Sequence, residues 1–369
     1  MTHLRSLFAG SDTLSAAERA AMASLRRGGI SSVIWVVTER CNLKCIHCYE
    51  GGRVTPELST EEVLKIADKL EEAGRPLTFV SGGEPLLRDD IMMLLGRLKD
   101  LGIRVILSTN GTLVDEEVAS QLADLGVDNV AIPLYGPQEV HDAFTRIPGS
   151  HERVIEALRL LRDHGLNLTI KTVVARRVLP YIRYLFDVAE EFGARAVYLC
   201  DFIPVGRGAS LRGEVPSKDE WRSLLDWFIE EMILGNAYEG VEIDIGLHPS
   251  TAIYVMERLR EMGHDVSEAE ERMRARRLSV EGRGFISISP TGDVYLSNYL
   301  TDLRLGNALH DDLRELLNHP LYRAAGDSSQ LKGRCGACPY RDMCGGSRVK
   351  AHIYTGDLLG EDPTCVIQD

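Results

Sequence analysis

From Ile34 to Leu199, short β-branched runs alternate with amphipathic segments of helical period, and this repeat constrains the fold more than any other feature of the 369-residue chain. A strand, a helix and a second strand in succession read as a right-handed crossover unit, and a series of such units builds a parallel sheet covered by helices. The pattern predicts strands at Val33 to Val37, Leu77 to Val80, Arg104 to Leu107, Asn129 to Ile132, Leu168 to Val174 and Ala196 to Leu199. Helices fall between them, over roughly Asp90 to Leu101, Glu116 to Leu125, Ser150 to Gly165 and Pro180 to Phe192. Ser59, with Glu62 three residues on, forms a capping box ahead of Val63, Ile66 and Leu70. The expected fold class is α/β, an open or partial (β/α)6 barrel, with chemistry at the C-terminal ends of its strands.

Beyond Pro204 the period loosens through Gly206, Gly208 and Gly213, which read as a linker, and resumes in a helix near Lys218 to Leu234 carrying Trp221, Leu224, Leu225 and Phe228. The charged stretch Ala252 to Arg277 predicts a solvated helical insertion, with a basic lid over the substrate as the competing reading. Phe285 to Ile288 and Val294 to Leu296 flank Pro290-Thr291-Gly292-Asp293, so a β-hairpin is expected to open a small C-terminal domain. The expected organisation is an N-terminal helical extension over 1–30, the barrel over 31–205, the linker and insertion over 206–284 and the C-terminal domain over 285–369.

Charge and hydropathy exclude several partners. The net charge of −13 repels phosphate backbones, and Arg272 to Arg277 is the only dense basic stretch, so nucleic acid is not an expected partner. The longest apolar runs, Ser32 to Val37 and Asn129 to Leu134, fall far short of the roughly 20 residues that span a bilayer. Met1 to Ile30 has no apolar core of a secretory signal, and a cytoplasmic location is expected.

Seven of the eight cysteines lie in two groups, Cys41-x3-Cys45-x2-Cys48 and Cys335-x2-Cys338-x5-Cys344-x20-Cys365, while Cys200 stands alone at a predicted strand end and reads as a buried apolar cysteine. Soft thiolates suit zinc and iron-sulfur clusters alike. Three cysteines on a 4Fe-4S cube leave one iron open, whereas His47 could complete a zinc site, and spacing alone leaves both readings standing. Context favours the cluster, because the first group directly follows the first predicted strand, where barrel enzymes place their chemistry. The four cysteines of the second group could close either a zinc site or a second cluster.

The string Cys41-Asn-Leu-Lys-Cys45-Ile-His-Cys48 resembles the cluster loop of radical S-adenosylmethionine (SAM) enzymes, and Gly82-Gly83-Glu84-Pro85 after the second strand resembles the motif that holds the SAM amino group in that family. The resemblance implies a 4Fe-4S cluster on Cys41, Cys45 and Cys48, with SAM at its open iron. One-electron reduction then cleaves SAM to methionine and a 5′-deoxyadenosyl radical. It places Ser108 and Asn110, in Ser108-Thr109-Asn110-Gly111, near the ribose, and Lys171 and Ile203 near the carboxylate and adenine. Where the family often has Ser-x-Asp-Gly after the fourth strand, this chain has Pro133-Leu134-Tyr135-Gly136. Cys335, Cys338, Cys344 and Cys365 resemble the SPASM or twitch domains of radical SAM maturases, which carry auxiliary clusters. Full SPASM cysteines are missing at Ser297, after Gly306 and after Cys344, so the resemblance implies one auxiliary 4Fe-4S cluster in a truncated domain.

The run Tyr354 to Cys365 and the opening Val33-Ile34-Trp35 are similar to radical SAM proteins of haem d1 synthesis and the alternative haem pathway, which modify tetrapyrrole propionates. Arg146, Arg176, Arg177 and Arg207 are candidates to pair those propionates. A ribosomal peptide is the alternative substrate, although only some 30 residues precede the first strand, too few for a leader-binding domain. The resemblance also implies a low-potential electron donor such as ferredoxin or flavodoxin. An iron-sulfur redox sensor and a zinc-stabilised binding module are the readings outside enzymes.

Overall fold

The computed structural model describes residues 2–8, 29–49 and 56–367. The expected N-terminal helical extension therefore lies mostly outside the described residues. Within it, β1 (Thr2–His3) and a short helix, Leu4–Phe8, are described.

All strands among the described residues join one sheet. The six expected strands form as β2 (Ser32–Val36), β3 (Leu77–Ser81), β4 (Val105–Ser108), β5 (Asn129–Pro133), β6 (Leu168–Val174) and β7 (Ala196–Asp201), each parallel to the next. Two further parallel strands extend this run. On one side β8 (Glu242–Gly246), from the stretch read as linker and insertion, pairs with β7, and β1 closes that edge antiparallel to β8. On the other side β9 (Phe285–Ile288) pairs parallel with β2 before turning into β10 (Asp293–Tyr295) and β11 (Arg304–Asn307). The predicted hairpin is present, and its first strand belongs to the same sheet as the βα series.

Side-chain alternation separates the two faces of this sheet. On β6, Leu168, Ile170, Thr172 and Val174 are buried, whereas Thr169, Lys171 and Val173 are half-buried. The aliphatic members of the buried set join Val33, Trp35, Val80, Leu107, Val130 and Leu199 in one core under the helices. Ser108, Lys171, Tyr198 and Cys200 occupy the alternate, half-buried positions of their strands.

The helices follow local signals. The Ser59 and Glu62 capping box starts Thr60–Glu72, and a second box, Ser217 with Glu220, starts Lys218–Trp227, which continues through a wider turn at Phe228–Leu234. The charged stretch becomes two helices, Ser250–Glu261 and Ser267–Arg276. The first is no solvated insertion, since it buries Ala252, Ile253, Val255, Met256 and Leu259. In the second, Arg272 and Arg274 are paired with Glu268 and Glu270, so the basic stretch is largely neutralised along its own helix. Among the described residues no helix is long and apolar enough to cross a membrane.

Candidate active site and auxiliary thiol pocket

The loop from Thr38 to Tyr49 leaves the C-terminal end of β2 and is held from three sides. First, the loop after β3 lies flat against it, with the Gly83 amide donating to Thr38 O at 2.7 Å and the Glu84 amide to Arg40 O at 2.8 Å. A Cβ on Gly82 would stand 2.6 Å from Thr38 O, and one on Gly83 would overlap Arg40 O, so only glycines permit this approach. Second, Lys44 and Ile46 amides donate to Thr145 O and Phe144 O at the end of helix Gln138–Thr145. Third, the segment after β7 pins the far end, where the Arg207 amide donates to Cys48 O and Arg207 Nε to Cys45 O, both at 2.9 Å.

Glu84 is fully buried, and its carboxylate is saturated from within the protein. It accepts from Thr109 Oγ1 at 2.7 Å, from the Asn110 amide at 2.6 Å and from the Leu86 amide at 3.1 Å. Burial pushes its pKa up while these donors pull it down. Glu84 thus joins the loops after β3 and β4. Pro85 begins the short 3₁₀ turn Pro85–Leu87 that Glu84 caps.

Asn110 turns toward the cysteines: its Nδ2 donates to Asn42 Oδ1 at 2.8 Å and lies 3.9 Å from Cys41 Sγ. Leu43 also offers its amide to Cys41 Sγ at 3.4 Å. Across the sheet face, Lys171 Nζ donates to Ser108 Oγ, and burial brings the Lys171 pKa down to about 8 although Glu84, Cys200 and Cys45 favour its charged form. Six expected residues, Gly82, Gly83, Glu84, Ser108, Asn110 and Lys171, therefore meet around Cys41, Cys45 and Cys48. Ile203 does not join this polar set, being 3% exposed and packed in the core.

His47 is committed elsewhere. Its Nε2 lies 3.2 Å from Tyr135 Oη and its ring packs on Tyr135 and Phe144, and burial lowers its pKa to about 3. Cys200, read as a buried apolar cysteine, stands partly covered beside Tyr299 Oη at 3.9 Å, and burial raises its pKa to about 11. Tyr299 in turn packs on Tyr49, next to Cys48. Among the propionate candidates, Arg176 and Arg177 are paired with Glu220 and Glu214, Arg207 clamps the cysteine loop and Arg146 is exposed at a helix end. The sequence reading gave no role to Asn42 or Thr109 and offered Arg207 only as a propionate partner, not as a clamp on the cysteine loop. Asn42, inside the cysteine motif, and Thr109, inside Ser108-Thr109-Asn110-Gly111, carried a signal in their positions.

The second group of cysteines lies in one pocket. Cys335, Cys338, Cys344 and Cys365 line it together with Ser250, Gly345, Gly346 and Asp362. The Gly346 amide donates to Cys344 Sγ at 3.4 Å and the Asp362 amide to Cys335 Sγ at 3.3 Å. Asp362 and Asp201, at the end of β7, flank the buried Lys350 Nζ at 3.7 and 2.7 Å, which fastens this pocket to the sheet.

The donor chemistry fits iron-sulfur clusters at both places. Amides directed at sulfur are the hydrogen bonds that tune bound clusters. Burial raises the pKa of Cys45 to about 12 and shifts Cys41, Cys335, Cys344 and Cys365 upward, so these thiols need a cation to ionise. Among the described residues no three His, Cys, Asp or Glu side chains are gathered to hold a single ion.

A parallel sheet with three thiols on the loop after one strand, braced by a glycine-rich loop after the next, places soft ligands at the strand ends, where α/β enzymes carry their chemistry. The Radical SAM superfamily profile matches residues 35–178. The chain is 32% identical to the AdoMet-dependent heme synthase of Oleidesulfovibrio alaskensis, over 91% of this chain and 87% of that protein. It is 30% identical to the pre-heme d1 synthase of Dinoroseobacter shibae, over 91% of this chain and 86% of that protein. Streptococcus suis SuiB bound to its precursor peptide SuiA shares the fold with a TM-score of 0.75 at 16% identity, covering 95% of this chain and 80% of SuiB. The protein belongs to the radical SAM superfamily.

Proposed function

We propose that this radical SAM enzyme modifies a propionate-bearing tetrapyrrole, and that Cys41, Cys45 and Cys48 hold the SAM-binding cluster while Cys335, Cys338, Cys344 and Cys365 hold an auxiliary 4Fe-4S cluster. When bound, the first cluster and SAM supply one-electron cleavage of SAM and a 5′-deoxyadenosyl radical that abstracts hydrogen from the substrate. The observation that carries the reading is the convergence of Glu84, Asn110 and Lys171 on the cysteine loop. Asn110 and Leu43 direct N–H groups at Cys41, Arg207 fixes the carbonyls of Cys45 and Cys48, and Glu84 holds the SAM-side loop at a fixed distance. The Lys171 ammonium, protonated at neutral pH with a pKa of about 8, faces this polar set as the cation for a carboxylate of SAM.

The tetrapyrrole rests on the relatives, whose printed activities are heme and pre-heme d1 synthesis. The fold shared with a peptide-bound enzyme favours a peptide as the second reading. A low-potential ferredoxin or flavodoxin is the proposed electron donor.

The test is anaerobic incubation of reconstituted, dithionite-reduced protein with SAM, followed by chromatography for 5′-deoxyadenosine. Acceleration by propionate-bearing tetrapyrroles supports the proposal, and acceleration by peptides alone moves the substrate to the second reading. No 5′-deoxyadenosine from wild-type protein, or retained cleavage after replacing Cys41, Cys45 and Cys48 with Ala, would defeat the site assignment. Iron near eight per chain supports two clusters, and about four with one zinc would reassign the second site.

A further inference from the structure

Three cations lie buried around the auxiliary thiols, and they are not balanced alike. Lys350 has Asp201 and Asp362 as counter-charges. Arg348, 0% exposed, and Arg277, 6% exposed, make no ion pair with a carboxylate among the described residues. Each spends Nη1 on backbone carbonyls, Arg348 on Leu358 O and Gly360 O and Arg277 on Gly326 O at 2.6 Å, while among the described residues Nε and Nη2 of both find no oxygen partner and Arg348 favours the ionised form of the Cys335 thiol.

Both guanidinium groups stand behind the pocket wall made by Gly345 and Gly346, immediately after Cys344. A Cβ on Gly345 would lie 3.0 Å from Arg277 Nε and Nη2, and one on Gly346 would lie 2.7 Å from Arg348 Nη2 and 3.0 Å from Cys335 Sγ. Both glycines have left-handed backbone, with φ of +76° and +61°. Arg277 itself takes φ +52° and ψ 134°, a conformation that a non-glycine residue adopts only when its surroundings impose it. Those surroundings are the cysteine turn, because the Leu278 and Ser279 amides donate to Met343 O at 2.8 Å and Cys344 O at 3.1 Å.

A buried, unpaired cation is costly, and two behind one wall call for an anion in front of it. Four thiolates on a 4Fe-4S core carry about two net negative charges. We infer that Arg277 and Arg348 are the charge-compensating residues of the auxiliary cluster and hold its reduction potential high. Reduction adds one negative charge, and a cation a few ångströms away in a poorly screened interior stabilises the reduced form. The inference rests on the auxiliary cluster proposed above.

The experiment uses full-length protein with Cys41, Cys45 and Cys48 replaced by Ala, which leaves the auxiliary site alone, and follows its reduction by EPR-monitored potentiometry. Arg277→Gln and Arg348→Gln each remove a charge, whereas Arg277→Lys and Arg348→Lys keep it. The expected result is at least a tenfold fall in the reduced-to-oxidised ratio at fixed potential for each Gln variant, about 59 mV for a one-electron couple, with smaller changes for Lys. Iron lost from the Gln variants but kept in the Lys variants would equally support charge compensation. An unchanged potential in the Gln variants, or equal shifts or equal iron loss in Gln and Lys variants, would overturn the inference. Zinc in place of iron in the parent protein defeats the cluster reading first, before any arginine is changed.

Discussion

The Glu84 carboxylate accepts the Asn110 backbone amide at 2.6 Å, so the loop that follows β3 and the loop that follows β4 are one hydrogen-bonded unit. In Glu84→Gln an NH2 group replaces one acceptor and opposes one of the three buried donors. We expect a loss of about 1–3 kcal/mol in urea unfolding of the metal-free protein. Unchanged stability would show that the carboxylate does not brace the two loops.

Gly83 sits where any Cβ would overlap Arg40 O, whereas a Cβ on Gly213 would meet nothing within 4 Å. Gly83→Ala is expected to part the glycine loop from the cysteine loop and lower iron uptake at Cys41, Cys45 and Cys48. Gly213→Ala should take up iron as the wild type does. Equal iron content in the two variants would refute the close-approach argument.

His141 is fully buried beside Tyr135, both of its ring nitrogens lack partners, and burial lowers its pKa from 6.5 to about 4. Between these values the unfolded chain binds a proton that the folded chain refuses. Stability therefore rises with pH across this window and is lost as pH falls, by about 2 kcal/mol per such histidine from pH 6.5 to 5. His141→Phe should flatten that slope in urea titrations at the two pH values, and an unaltered slope would count against the assignment.

Lys350 is fully buried between Asp201 and Asp362. Lys350→Met leaves two carboxylates uncompensated and is expected to cost about 3–5 kcal/mol. Adding Asp201→Asn should restore part of that loss. Strict additivity of the two substitutions would show that the pair is not coupled.

The six central strands were legible because β-branched runs and helical period are local signals, and the Ser59 and Glu62 box marked its helix start correctly. The strand β8 was missed although Ile243 and Ile245 alternate with Glu242 and Asp244 at strand period, because the run is short and lies in the loosely patterned stretch after Pro204. Its pairing with β7 is decided by register at a distance. Strand parity fixes that Cys200 alternates with Leu199 and Asp201, but not that it comes to lie beside Tyr299.

The sequence by itself determined the βα order, the two thiol sets and the glycine motif, because spacing along the chain is enough to specify strand-end loops and soft ligands. The tertiary structure decided what those residues do for one another. Gly82 and Gly83 let two loops touch, Glu84 and Asn110 are used on the protein's own backbone and thiols, and Asp201 reaches Lys350 across 149 positions of sequence. These are contacts between distant segments, set by how the sheet places strand ends side by side, and no local period encodes which buried charge will find a partner and which will be left facing a pocket.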